Sequence, residues 1–144
     1  MIYLLDVNVL LALTDSMHVH HEAAHRWFTA GGGREWATCP ITENGFVRIA
    51  SHPNYPNRPG EVGAVLEILA KVREAPGHHF WTDSTSILDV LITGTLINHA
   101  QITDVYLLAL AAGRQGRLAT LDGRIPAAAV RGGPEALEVI RAEV

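Results

Sequence analysis

Residues 2–5 (Ile-Tyr-Leu-Leu) form an unbroken apolar run, which predicts a short, fully buried strand. Beyond Asp6 the apolar residues change spacing to Val7, Val9–Leu11 and Leu13, which predicts a first helix and leaves Asp6 at the junction. Ala23, Ala24, Trp27 and Phe28 make a one-sided stripe over residues 22–29, a second helix that ends at Gly31-Gly32-Gly33. Residues 35–38 predict a second strand, and Pro40 opens a helix to about Ile49 that carries Ile41, Phe46, Val47 and Ile49. Three prolines make residues 51–60 a loop. Val65, Leu66, Leu69 and Val72 then recur at helical spacing until Pro76-Gly77 stops them.

In the second half, residues 79–81 predict a third strand, and Asp83-Ser84-Thr85-Ser86 supplies capping residues for a short helix over 87–91. Thr103 is expected to cap an almost wholly apolar helix from Asp104 to about Gln115, and residues 117–121 form a strand that delivers Asp122 at its end. Residues 137–141 do not separate strand from helix cleanly, and a short last strand is preferred. Strands alternating with helices imply an α/β fold: a three-layer sandwich with a central parallel sheet and helices on both faces, reached by right-handed crossovers. In such sheets ligands bind beyond the carboxyl ends of the strands, the rim where Asp6 and Asp122 are expected and where helix starts can bring Glu43 and Asp104.

With 144 residues, the chain is expected to be a single domain over 1–144, long enough to bury about 68–70% of its unfolded surface. At 48% hydrophobic and only 18% charged, it has the composition of a folded core and not of a disordered segment. A net charge of -4 excludes a broadly basic nucleic-acid-coating protein, but not a nuclease that holds phosphates through metal and a few arginines. The one cysteine, Cys39, cannot form an internal disulfide and is expected in the core. The apolar start is too short to span a bilayer and lacks a preceding basic residue, so no membrane association is expected and the default location is cytoplasmic.

Asp6, Glu43, Asp104 and Asp122 each stand where an apolar strand ends or an apolar helix begins. A carboxylate beside a buried segment costs several kcal/mol in lost hydration unless it is paired, and the chain has a single lysine, Lys71. A hard divalent cation with oxygen ligands would offset that cost for all four at once. Taken singly, each has a plainer explanation: Asp104 and Glu43 complement helix dipoles, and Asp122 before Gly123 is a turn residue.

Together, the segments LLDVNVLLAL, TENGFVRIA, ITDVYLLALAA and GRLATLDGRI resemble the PIN-domain family, specifically the VapC ribonuclease toxins of prokaryotic toxin–antitoxin pairs, over essentially the whole chain. The resemblance implies that Asp6, Glu43, Asp104 and Asp122 form an acidic quartet binding Mg2+ or Mn2+, with Asn8 and Thr120 as supporting polar groups. It further implies RNA as substrate, a homodimer, and a cognate antitoxin that blocks the acidic site. Val105, where many relatives have alanine, is a small departure. Asp6 and Asp104 are expected to ligate directly. Asp122 and Glu43 would act as further ligands, through water, or as a base.

Several other readings compete with this one. His21 and His25, four apart, have the spacing of a zinc pair, but no cysteine pair or distant ligand completes them, and the segment HVHHEAAHRW matches the ordinary family pattern; no zinc site is expected. An aspartyl-nucleophile phosphatase would use Asp6, but it needs a second acid where Asn8 stands and a strand-end lysine, whereas Lys71 is expected in mid-helix. A non-catalytic module that keeps the pocket only to hold an antitoxin is a third reading. Arg48, Arg114, Arg117 and Arg124 lie near the motifs and could meet phosphates or be ordinary surface charges.

Overall fold

The computed structural model describes residues 1–92, 94 and 96–141. The chain runs β1 (Tyr3–Leu5), α1 (Val7–Thr14), α2 (His21–Trp27, widening into a turn at Phe28–Gly32), β2 (Trp36–Thr38), α3 (Pro40–Ala50), α4 (Val62–Arg73) and β3 (His78–Phe80). It continues through α5 (Ile87–Val90), α6 (Ile102–Gly113), β4 (Arg117–Thr120), α7 (Gly133–Ala136) and β5 (Leu137–Val139). The strands pair in parallel in the order β3-β2-β1-β4-β5. The expected three-layer sandwich and the short last strand are both present.

Period-two alternation decides which layer each strand residue serves. Leu4, Ala37 and Leu118 pack with the apolar face of α6, where Val105 and the run Leu107 to Ala111 are buried. Leu5, Trp36 and Ala119 point the other way, into a second cluster with Val9, Leu10, Phe46, Val65 and Leu69 from α1, α3 and α4. These strands have only three or four residues, so they are held mainly by burial on both faces and little by their length.

One cap differs from expectation. The helical path begins before Thr103 because Asn98 and Gln101 bond reciprocally: Asn98 Oδ1 accepts from the Ala100 N–H at 2.9 Å, and Gln101 Oε1 accepts from the Asn98 N–H at 2.9 Å. Thr103 is therefore inside the first turn of α6, and Asp104 is its third residue. Of the four capping residues expected before α5, Ser86 is the one that caps it, its hydroxyl accepting from the Leu88 N–H at 3.1 Å. Gly77 (φ +88°) makes the turn from α4 into β3, where a Cβ would run into the Arg34 carbonyl.

Leu108 is fully buried against the sheet, whereas Leu66 on α4 is half exposed. Leu108→Ala should cost about 2–5 kcal/mol, and Leu66→Ala well under that, as read from urea midpoints.

Candidate active site

From β1 the chain steps outward through β2 to β3, then crosses over to β4 and β5 on the opposite side of β1. Beyond the carboxyl ends of β1 and β4, the connections leave on opposite faces of the sheet and open a crevice. Asp6 follows β1, Asp122 lies two residues past β4, and Asp104 sits in the first turn of the helix leading into β4. Glu43 follows β2, one strand away from the crevice.

The β1–β4 register pairs Leu5 with Ala119, and the Asp6 N–H continues the ladder by donating to the Ala119 carbonyl at 2.9 Å. Asp6 therefore lies beside Thr120, which is fully buried. The Thr120 hydroxyl donates to Asp6 Oδ2 at 2.8 Å and accepts from Asn8 Nδ2 at 3.2 Å and from the Asp122 N–H at 3.1 Å. One hydroxyl thus uses its donor and both lone pairs, tying Asp6, Asn8 and the Asp122 backbone together. Asn8 completes the knot by accepting from the Leu121 N–H at 3.1 Å, and Asp6 Oδ1 caps α1 through the Val7 N–H at 2.8 Å. Asn8 and Thr120 are thus bonded to each other, and Thr120 to Asp6.

The charges in this crevice repel one another. Burial pushes the Asp6 carboxyl above the usual aspartate range, partly countered by its bonds from Thr120 and Val7. Asp104 is half-buried and is raised from 3.8 to about 6 by burial and then by the charges of Asp6 and Asp122. Asp122 is lowered instead, because its Oδ1 accepts from the Arg124 N–H at 2.9 Å and from Arg124 Nε at 3.2 Å. Asp6, Asp104 and Asp122 therefore form one electrostatic unit.

Glu43 is held separately. Its Oε2 accepts from the Thr38 hydroxyl at 2.7 Å and faces Arg73 Nη1 at 3.4 Å. The carboxylate lies at the expected rim, but it is turned toward β2 and β3. Among the described residues, no three His, Cys, Asp or Glu side chains are gathered as a ready-made cage for an ion.

The histidine segment has a structural job: His21 Nδ1 is 2.7 Å from the Ala12 carbonyl, fastening α2 to α1. Arg114, at the far end of α6 from Asp104, bonds the Thr82 carbonyl at 3.1 Å, and Arg117 at the start of β4 faces Glu138 at 3.4 Å, so each is engaged away from the four acids. Sequence reasoning passed over Arg73, Thr38 and His78. A signal was present: Thr38 ends β2 as Thr120 ends β4, and each is a buried strand-end threonine beside a carboxylate.

An α/β sandwich with acids collected at its topological switch point is a fold class with a defined ligand rim. The PIN domain family model matches residues 3–131. Ribonuclease VapC44 of Mycobacterium tuberculosis is 48% identical over 131 residues, covering 90% of this chain and 92% of that protein. Ribonuclease VapC39 of the same organism is 42% identical over 140 residues, covering 93% and 98%. The chain belongs to the PIN-domain family, in its VapC group. The fold is also that of Mycobacterium tuberculosis VapC20, described as a sarcin-ricin loop cleaving toxin (TM-score 0.63, 14% identity, 90% of this chain and 96% of that one). It is shared by a chain of Rickettsia felis VapBC2, solved with a promoter DNA fragment (TM-score 0.54, 15% identity, 88% and 94%).

Because the folded state raises the Asp104 pKa from 3.8 to about 6, its favourable, protonated contribution is complete below pH 3.8 and lost as pH rises through 6. Asp104→Asn should therefore stabilise the metal-free protein at pH 7. A shielded charge would imply about 3 kcal/mol, and solvent screening in a half-open crevice reduces this to about 1 kcal/mol. Thermal melts of both proteins from pH 3.5 to 7.5 check this: the advantage should vanish at the acid end.

Proposed function

We propose that this chain is a divalent-metal-dependent endoribonuclease and the toxin of a toxin–antitoxin pair, formed as a single domain over residues 1–144. The observation that carries the reading is the coupled set Asp6, Asp104 and Asp122 at the switch point of a PIN-domain sheet. The donor set suits Mg2+ or Mn2+: hard carboxylate oxygens, no thiolate or imidazole among them, and a charge repulsion that a cation relieves. Such ions bind few carboxylates directly and keep several waters, which agrees with acids spread around a crevice and not closed into a cage. The bound cation would neutralise the phosphate and activate water for attack on the phosphodiester.

Asp6, locked by Thr120 and the α1 cap, and Asp104, the acid with the most charge to relieve, are the direct ligands. Asp122 and Glu43 serve as further ligands, through water, or as the base. Asn8 and Thr120 fix the direction of Asp6. RNA as substrate is supported by the ribonuclease relatives, and an antitoxin partner by the VapBC2 pair among the solved neighbours. The homodimer and the cytoplasmic location belong to the same proposal. Among the described residues, no helix is long and apolar enough to cross a membrane.

The phosphatase reading lacks its cation, since Lys71, the one lysine, is exposed near the end of α4. A module that only holds an antitoxin would not require the costly, mutually repelling carboxylates that this crevice retains.

Millimolar Mg2+ or Mn2+ should raise the melting temperature of the wild type, and should raise that of Asp104→Asn much less; an unshifted wild-type curve counts against the pocket. Expression of the wild type should arrest growth and fragment cellular RNA, and Asp6→Asn should do neither. Equal RNA cleavage by a folded Asp6→Asn protein would remove Asp6 from the mechanism, while intact RNA with the wild type would favour the binding module.

A further inference from the structure

The Glu43 carboxylate is pinned through one oxygen only. Oε2 receives the Thr38 hydroxyl at 2.7 Å and faces Arg73 Nη1 at 3.4 Å, whereas among the described residues Oε1 accepts no hydrogen bond from the protein. The Thr38 hydroxyl has one proton and gives it to Glu43, so it must accept at its 2.7 Å contact with His78 Nε2; His78 therefore carries its hydrogen on Nε2. A directed chain runs from His78 through a fully buried threonine to the glutamate. Arg73 is oriented as well, its guanidinium lying 4.9 Å from the centre of the Phe80 ring on the edge strand. The parallel with Thr120 and Asp6 is close: in both places a buried threonine at a strand end aims its proton at an acid on the rim.

We propose that Arg73 and Thr38, the latter backed by His78, are positioning residues for Glu43, holding Oε2 and thereby limiting the orientations open to its carboxylate. This inference rests on the preceding reading that Glu43 serves the hydrolytic site. A free glutamate samples many rotamers, and outer groups that fix a functional carboxylate commonly change activity by about 10–100-fold. Arg73 and Thr38 act through Glu43 and need not touch the RNA.

The test is a kinetic and thermal mutant cycle on the full chain with a defined RNA and Mn2+. Arg73→Gln and Thr38→Val should each lower kcat about tenfold with KM changed less than about twofold. Arg73→Lys and Thr38→Ser should recover most of the loss. Adding Arg73→Gln to Glu43→Gln should slow the enzyme no further, because both changes remove the same function. Without metal, the melting-temperature losses of Arg73→Gln and Glu43→Gln should likewise fail to add.

Additive effects in either measurement, or a wild-type kcat in Arg73→Gln, would overturn the proposal, as would a raised KM alone, which would make Arg73 a phosphate contact. The Arg73 side chain is 43% exposed, so its variant decides the matter even if Thr38→Val fails to fold. Wild-type cleavage by Glu43→Gln would sink the underlying site reading, whereas an inactive Glu43→Gln beside a fully active Arg73→Gln would sink only the positioning role.

Discussion

The Thr120 hydroxyl is where sheet, helix and site are joined. Its proton goes to Asp6 across the β1–β4 junction, and its lone pairs take Asn8 from α1 and the backbone of Asp122 from the loop beyond β4. A buried carboxylate without such a partner would lose about 1–3 kcal/mol or more. The same hydroxyl that makes burial of Asp6 tolerable therefore sets the positions of Asp6, Asn8 and the Asp122 backbone. It works only because the parallel register puts Thr120 next to Asp6, and that register depends in turn on Leu4, Leu5, Leu118 and Ala119 alternating between two apolar layers.

Around that knot, stability and function oppose each other. Asp104 gains nothing for the fold from a negative charge that both Asp6 and Asp122 repel, and its pKa rises accordingly. Asp122 escapes this through Arg124, whose backbone N–H and Nε both reach its Oδ1. The uncompensated charge thus collects on Asp6 and Asp104, the side chains from which a cation has most to relieve. Local destabilisation of this kind is common where a site is arranged for a ligand and not for the empty protein.

The elements were largely legible because burial writes itself into spacing. Trp27 and Phe28 on α2, and Val65 and Leu69 on α4, follow the helical period, while proline and glycine mark the ends. Caps were less legible. Thr103 is a good capping residue by type, yet Asn98–Gln101 hold that position, and which of Asp83 to Ser86 caps α5 was settled only by where the backbone turns. The acids could be chosen from context, but of the arginines that bond them only Arg124 could, lying two residues past Asp122. Arg114 and Arg117 lie near motifs in sequence but bond Thr82 and Glu138, while Arg73, far from any motif, reaches Glu43.

By itself, the sequence determined an α/β sandwich and the rim to which its four lone carboxylates belong, because periodicity and strand-end placement are local properties. Only the tertiary structure decided how those acids are divided: Asp6, Asp104 and Asp122 share one crevice, and Glu43 is tethered one strand away. That division follows from strand order, and strand order follows from crossovers between segments distant along the chain, which no local pattern encodes. The partners of each carboxylate, and hence its charge, come from the same long-range packing.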